Sequence, residues 1–250
     1  MLLTVAARGL CVSDPMLATI GPGERHFLSR IAKMPSPVVF DVGANVCSYA
    51  TELKRLCPTA RIWAFEPHPV TFEQLASQAA RYEITALNVG LSDHSRKARL
   101  FDYAAGSGSP HASLHKRVIE VLHASESTEL DIELTTIDAV LSSGEPRHVD
   151  LLKIDAEGHE LAVIKGASKA IADGAIDLIQ FEFNEMNVIS RVFLRDFYDA
   201  LPSYEFYRMV VDGLAPLGTY RARTHELFFL HNIVAIRKGV TDAQALLGVR

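Results

Sequence analysis

The sequence predicts an α/β protein built on one doubly wound, mostly parallel sheet with helices on both faces. Three observations carry that expectation. From residue 38 onward, short apolar runs rich in Val, Ile and Phe alternate with segments of helical period, the pattern that sets helices against a parallel sheet. The main runs end in polar or acidic residues, as strands do when their carboxyl ends open onto a ligand crevice. The 250 residues, 48% hydrophobic and 22% charged, suffice for one large domain and exclude disordered, collagen-like and coiled-coil chains.

Taken in order, residues 1–37 are expected to form a helical segment around "ERHFLSRIAKM", ahead of a single domain over 38–250. "VVFDVG" (38–43) reads as the first strand. Val46, Ala50, Leu53 and Cys57 then share one helix face before Pro58 stops the helix. "RIWAFEP" (61–67) is the second strand. Pro69, whose fixed φ suits a first helical turn, opens a helix through "VTFEQLASQAARY", and "ITALNVGLSD" supplies another strand. "YAAGSGSPHASLHKR" (103–117) fits neither period and is expected to be a loop, either a tolerated insertion or a lid over a site. "VDLLKIDAEG" (149–158) and "IDLIQFEFN" (176–184) complete the sheet centre, with Leu161, Ile164, Ala167 and Ile171 on one helix face between them, ended by Gly174. "EFYRMVV" and "ELFFLHNIVAI" close one edge and bring the expected sheet to seven strands.

The net charge of -5 and the lack of a dense Lys/Arg block argue against nucleic acid as a partner and favour a small molecule. Cys11, Cys47 and Cys57 form neither a fully paired disulfide framework nor a zinc pattern, which fits a reducing, cytoplasmic setting. "MLLTVAARGLCV" is short, carries Arg8 and has no basic lead-in, so it is not expected to be a signal peptide, and no run reaches membrane-spanning length.

In such a sheet Asp41 to Asn45, Glu66, Asp155 to Glu157 and Glu182 to Asn184 converge at the strand tips. A strand, a tight glycine turn and a helix start form a nucleotide-cofactor cradle, in which backbone approaches the ligand and free N–H groups point at it. Glu66, one βα unit downstream, can accept hydrogen bonds from both hydroxyls of a ribose, and the pair suggests adenosine. The plainer alternative makes Asp41 a helix cap and Glu66 an exposed acid. Glycine count separates the cofactors: a dinucleotide fingerprint needs three glycines, whereas here Gly43 stands alone and Ala44, Asn45 and Cys47 carry Cβ atoms. That narrower cradle suits the aminocarboxypropyl arm of S-adenosylmethionine, and no Walker lysine is present for a P-loop.

These residues resemble the FkbM family of S-adenosylmethionine-dependent methyltransferases over roughly residues 37 to 185. The resemblance rests on "VVFDVGANVCSYA", "FEPHP", "LNVGLSD" and above all "VDLLKIDAEGHELAVIKGA", in that order. Cys47 departs from it, standing where family members usually have glycine. The resemblance implies a Rossmann-like class I methyltransferase fold and methylation of a hydroxyl, often on a sugar, glycolipid, polyketide or other secondary metabolite. It further implies that Asp41, Gly43, Ala44 and Asn45 line the methionine arm, Glu66 and Pro67 the ribose, and Leu91 with Ser92 or Asp93 the adenine.

A sulfonium methyl is already electrophilic, so the protein has chiefly to align the acceptor oxygen behind it and remove a proton. Asp155 is the first candidate for that base or for orienting the acceptor, followed by Glu157 and Glu182. Carboxylates at adjacent tips also suit Mg²⁺, so a divalent metal stands as an alternative to an unaided base. His115 and His111 on the irregular segment are further candidate bases, and Lys116 with Arg117 would attract an anionic acceptor. Glu157 and His159 also read simply as helix-start residues, with His159 exposed. Cys47 reads as a small packing residue, since transfer from a sulfonium needs no covalent intermediate. Two rival functions share the turn: a nicotinamide-dependent oxidoreductase and a non-catalytic S-adenosylmethionine-binding module.

Overall fold

A computed structural model describes residues 20–104, 108–109, 111–240 and 247–248. Cys11, the "MLLTVAARGLCV" stretch and part of the 103–117 segment therefore lie outside the described residues. The expected parallel strands are β1 (Val38–Val42), β2 (Arg61–Phe65), β3 (Thr85–Leu87), β7 (Val149–Ile154) and β8 (Ile176–Phe183). They lie in the order β3-β2-β1-β7-β8, and the sheet continues antiparallel through β11 (His231–Arg237) and β9 (Tyr204–Val210). A short eighth strand, β10 (Gly213–Pro216), extends that edge beyond the expected seven.

The sheet is buried on both faces, which is why its strands read as unbroken apolar runs. One face packs Val39, Leu151, Leu178 and Val234 against the helices Pro22–Ile31, Ser48–Leu56 and Pro69–Tyr82. The other packs Phe40, Leu152, Ile179 and Ile233 against Glu160–Lys165, Ser168–Ala172 and Leu194–Ala200. Register then levels the tips: Val42 pairs with Phe65 on one side and Ile154 on the other, and Ile154 pairs with Phe181. Among the described residues no helix is long and apolar enough to cross a membrane.

Four local expectations are corrected. "ITALNVGLSD" is not one strand: β3 stays in the main sheet, whereas β4 (Gly90–Leu91), β5 (Arg96–Tyr103) and β6 (Ser127–Thr135) form a second sheet of order β4-β6-β5. Strands β5 and β6 were not expected, because exposed polar residues dilute their apolar alternation. The helix expected through Leu161 to Ile171 is two, broken around Gly166, where a Cβ would come within 1.9 Å of the Ser92 carbonyl oxygen. Val46 lies outside the Ser48–Leu56 helix and is exposed, and Cys47 takes the buried place beneath it. The "ELFFLHNIVAI" strand begins only at His231.

Candidate active site

The turn after β1 is built by three inward-facing backbone bonds. The N–H groups of Gly43 and Ala44 both donate to the Phe65 carbonyl at 3.0 Å, and the Asn45 N–H donates to Glu66 Oε2 at 3.0 Å. The expectation of free turn amides aimed at a ligand is corrected accordingly: these three close β1 onto the tip of β2. None of these three amides remains free for a pyrophosphate. Gly43 serves the same closure. At φ +70° its missing side chain admits β7, since a Cβ would lie 1.7 Å from the Asp155 carbonyl oxygen.

Asn45 and Cys47 continue the turn at φ +47° and +73°, the left-handed region that glycine occupies without strain. Cys47 is fully buried in the core, and burial, with Asp41 adding, pushes its thiol up to about 11. It is a packing residue, as its place in the sequence suggested.

Glu66 faces the turn. Its Oε1 accepts from the His68 N–H at 2.8 Å while Oε2 takes the Asn45 bond, so each oxygen keeps lone-pair capacity for one further donor. The plain alternative of an exposed acid fails, since Glu66 is 7% exposed. Burial raises its carboxyl to about 7, against the opposing bonds from His68 and Asn45 and the charge of Lys153. Asn88 donates to the carbonyls of Glu66 and Pro67 at 2.9 and 3.3 Å, tying the end of β3 to this tip. Pro67 is half-buried against Gly90, where a Cβ would lie 3.3 Å from the proline ring.

Of the three residues suggested for adenine, Leu91 is buried in the core. Ser92 is fully buried, with its Oγ 2.9 Å from both Asp93 and His159 Nε2. Asp93 is also bonded by Arg96 at 3.0 Å. His159 is thus held by Ser92 and only partly exposed, and burial drives its imidazole down to about 4.

Asp41 is fully buried behind the turn, where Lys153 Nζ stands 3.2 Å from Asp41 Oδ1 and 3.3 Å from Asp155 Oδ2. Sequence reasoning passed over Lys153. The only signal was a charge inside the otherwise apolar run "VDLLKI". Its ammonium also lies 5.4 Å from the centre of the Tyr49 ring, and Tyr49 donates to Gln180 at 2.6 Å. Gln180 in turn donates to Glu24 at 3.2 Å and Asn232 at 2.9 Å.

Asp155 leads into Glu157, at φ +52°, whose carboxyl burial raises to about 7. The helix-start acid is Glu160, which accepts from the N–H groups of Ala156 and Gly158 at 3.1 and 3.0 Å and so shapes the "DAEG" bend. Burial raises Glu160 to about 7 as well. Glu182, bonded by Asn184 at 3.3 Å, is pushed well above the usual carboxyl range by burial and by the charges of Asp155, Glu157 and Glu24.

The described residues of the irregular segment reach these tips. Asp102, fully buried, accepts from the N–H groups of Gly108 and Ser109 at 3.2 Å and lies 3.4 Å from His68 Nε2. Ser113 donates to the Glu157 carbonyl at 2.8 Å, and His111 Nδ1 lies 3.6 Å from Glu157 Oε1. Glu157 raises the His111 imidazole against the effect of burial, whereas burial lowers that of His115, which faces Gly158 and His159. Lys116 pairs with Glu120 at 3.1 Å on the surface, and Arg117 is exposed. Among the described residues, the three side chains spaced to share a metal ion are His148, Asp150 and Asp177, at the opposite end of the sheet. Asp155, Glu157 and Glu182 are not gathered in that way.

A model of the FkbM methyltransferase domain matches residues 41–206. The chain is 31% identical over 165 residues to methyltransferase sdnD of Sordaria araneosa, covering 56% of this chain and 64% of that one. It is 32% identical over 139 residues to the hexuronic acid methyltransferase AglP of Haloferax volcanii, covering 54% and 51%. With the 31-O-demethyl-FK506 methyltransferase FkbM of Streptomyces tacrolimicus it shares 26% over 189 residues, covering 62% and 73%. The match thus spans between half and two-thirds of the first two relatives. A solved precorrin-6y C5,15-methyltransferase from Geobacter metallireducens is 14% identical at a TM-score of 0.47, covering 90% and 93%, too distant to bear on the site.

Proposed function

The chain belongs to the FkbM methyltransferase domain family, and we propose that it moves the methyl group of S-adenosylmethionine to a hydroxyl of a carbohydrate, glycolipid or secondary metabolite. The observation that carries this reading is the Glu66 carboxylate, turned inward onto a turn whose first amides are already consumed. Such a tip can hold a ribose diol, and its first three amides offer nothing to a diphosphate. Relatives whose names specify a hexuronic acid, a 2-O position and a 31-O position support an oxygen acceptor.

In this reading Glu66 binds the ribose hydroxyls with Pro67 beside them, and the β3–β4 segment faces the adenine. Leu91 backs that segment from the core, and Ser92 and Asp93 hold it in place. Asp41, Gly43, Ala44 and Asn45 shape the wall along the methionine arm. The bound cofactor supplies an electrophilic methyl on a sulfonium. Asp155, fixed by Lys153, orients the acceptor hydroxyl, and Glu157 takes its proton, because a carboxyl near 7 is matched to neutral pH. His111, in contact with Glu157, balances the charge, while Glu182 and His115 enclose the chamber. The described part of the 103–117 segment acts as a cover, and the setting is cytoplasmic with a small-molecule acceptor.

Incubation with S-adenosylmethionine labelled in its methyl group tests the reading against a panel of uronates, glycosides, lipid-linked sugars and polyketide alcohols. Label appearing on oxygen is expected. Saturable cofactor binding with no transfer to any member would favour the non-catalytic module.

A further inference from the structure

Around the tip of β7 the protein gathers more acid than base. Asp41 and Asp155 touch Lys153, while Glu24 and Glu182 act on it from the helix Pro22–Ile31 and from β8. Glu66 and Glu157 feel its charge from β2 and from the bend after β7. Burial opposes the charge on Lys153, yet the surrounding acids more than offset that penalty and hold its ammonium well above the usual lysine range. Its side chain is 8% exposed, with Tyr49 closing it from the Ser48–Leu56 helix. A lysine placed so deep is destabilising unless its partners are ionised and well placed. A neutral side chain of the same length would pack there more cheaply.

We propose that Lys153 is a positioning residue that clamps Asp155 to Asp41 across the β1–β7 junction and, from there, favours the charged form of Glu66 and Glu157 at the neighbouring tips. The clamp reaches beyond the family-matched segment. Glu24 and Asn232 lie outside residues 41–206 and pin Gln180, which anchors the Tyr49 ring against the ammonium. Glu66 and Glu157 therefore share one buried cation, with His111 Nδ1 3.6 Å from Glu157 Oε1 and Asp155 also acting on Glu157, and the helix Pro22–Ile31 contributes to the site through Glu24. The catalytic part of this inference rests on the methyl-transfer reading. The electrostatic part does not.

The test uses the cofactor-free protein. Carbon-13 NMR of the glutamate side-chain carboxyls follows Glu66 and Glu157 through a pH titration in the wild type, Lys153→Met, Lys153→Gln and Lys153→Arg. Both midpoints are expected to rise by at least about 0.3 pH unit in the Met and Gln variants, a twofold gain in proton affinity. In the Arg variant they stay near wild type. The alkaline rise of methyl transfer is expected to move upward in step. Midpoints that stay put in a folded Met or Gln variant overturn the proposal. So does a wild-type Lys153 Nζ whose nitrogen-15 resonance shows a neutral amine at pH 8, a result that needs no variant to fold. If the wild type binds no S-adenosylhomocysteine, the methyl-transfer reading falls while the titration still judges the clamp.

Discussion

Replacing Gly43 with alanine separates a glycine needed for its φ from one needed for space. The added Cβ would sit 1.7 Å from the Asp155 carbonyl oxygen, half of the 3.4 Å at which ordinary contact begins. That oxygen is backbone and has no flexible end to swing away. The tip of β7 must retreat by more than 1 Å, which breaks the 3.0 Å bond from the Asp155 N–H to the Val42 carbonyl. The left-handed φ costs alanine about 1–2 kcal/mol and the lost bond about 1 kcal/mol. A total of about 2–3 kcal/mol lowers the melting temperature of a chain this size by roughly 5 to 10 °C. Misplacing the Asp155 tip by such a distance costs about 10²-fold in turnover. Gly218 is the control, with φ +65° and nothing within 4 Å of its virtual Cβ. Gly218→Ala should carry the φ cost alone and leave cofactor binding intact. Melting curves and S-adenosylhomocysteine calorimetry on both variants decide the matter. If Gly43→Ala behaves like Gly218→Ala, the close packing of β1 on β7 is not what shapes the site.

Cys47 should resist alkylation by iodoacetamide in the native protein and react once unfolded, because burial holds it as an un-ionised thiol at about 11. Rapid native labelling, read by peptide mass spectrometry, would contradict its packing role. Glu66, Glu157 and Glu160 are each raised to about 7, above the ordinary carboxyl value, so folding takes up protons there. Stability from that uptake is complete at low pH and is lost as pH rises through about 7, by about 1 kcal/mol for each group between pH 6.5 and 8. His159 and His231, lowered to about 4, act in the opposite sense but only below about 6.5. Urea midpoints of the cofactor-free protein should therefore fall between pH 6.5 and 8 while methyl transfer rises. Midpoints that climb over that range would refute the burial of these acids.

Much of the fold is legible in the sequence because its central strands are buried on both faces. "VVFDV", "RIWAF", "VDLLKI" and "IDLIQFEF" leave little choice of period or burial, and their terminal acids mark the crevice. The second sheet is harder to read, since β5 and β6 fully bury only two side chains each and alternate weakly. Within the site, Asp41, Gly43, Asn45, Glu66, Asp155 and Glu157 converge because register alone levels their strand tips. Lys153 and Glu24 could not be placed that way. Their roles depend on which sheet face a side chain takes and on a contact spanning 156 positions between Glu24 and Gln180. The turn amides misled for a related reason: a strand, a glycine and a helix announce a bend, but only the neighbouring strand decides whether its N–H groups face a ligand or the Phe65 carbonyl.

A calorimetric titration of S-adenosylhomocysteine into the wild type and Glu66→Ala tests most directly whether the inward carboxylate at the tip of β2 holds a nucleoside. Saturable one-to-one binding is expected, weakened about 10²-fold in the variant through loss of two hydrogen bonds to a charged acceptor. Equal affinity in the two proteins, or no heat from the wild type, would contradict the account.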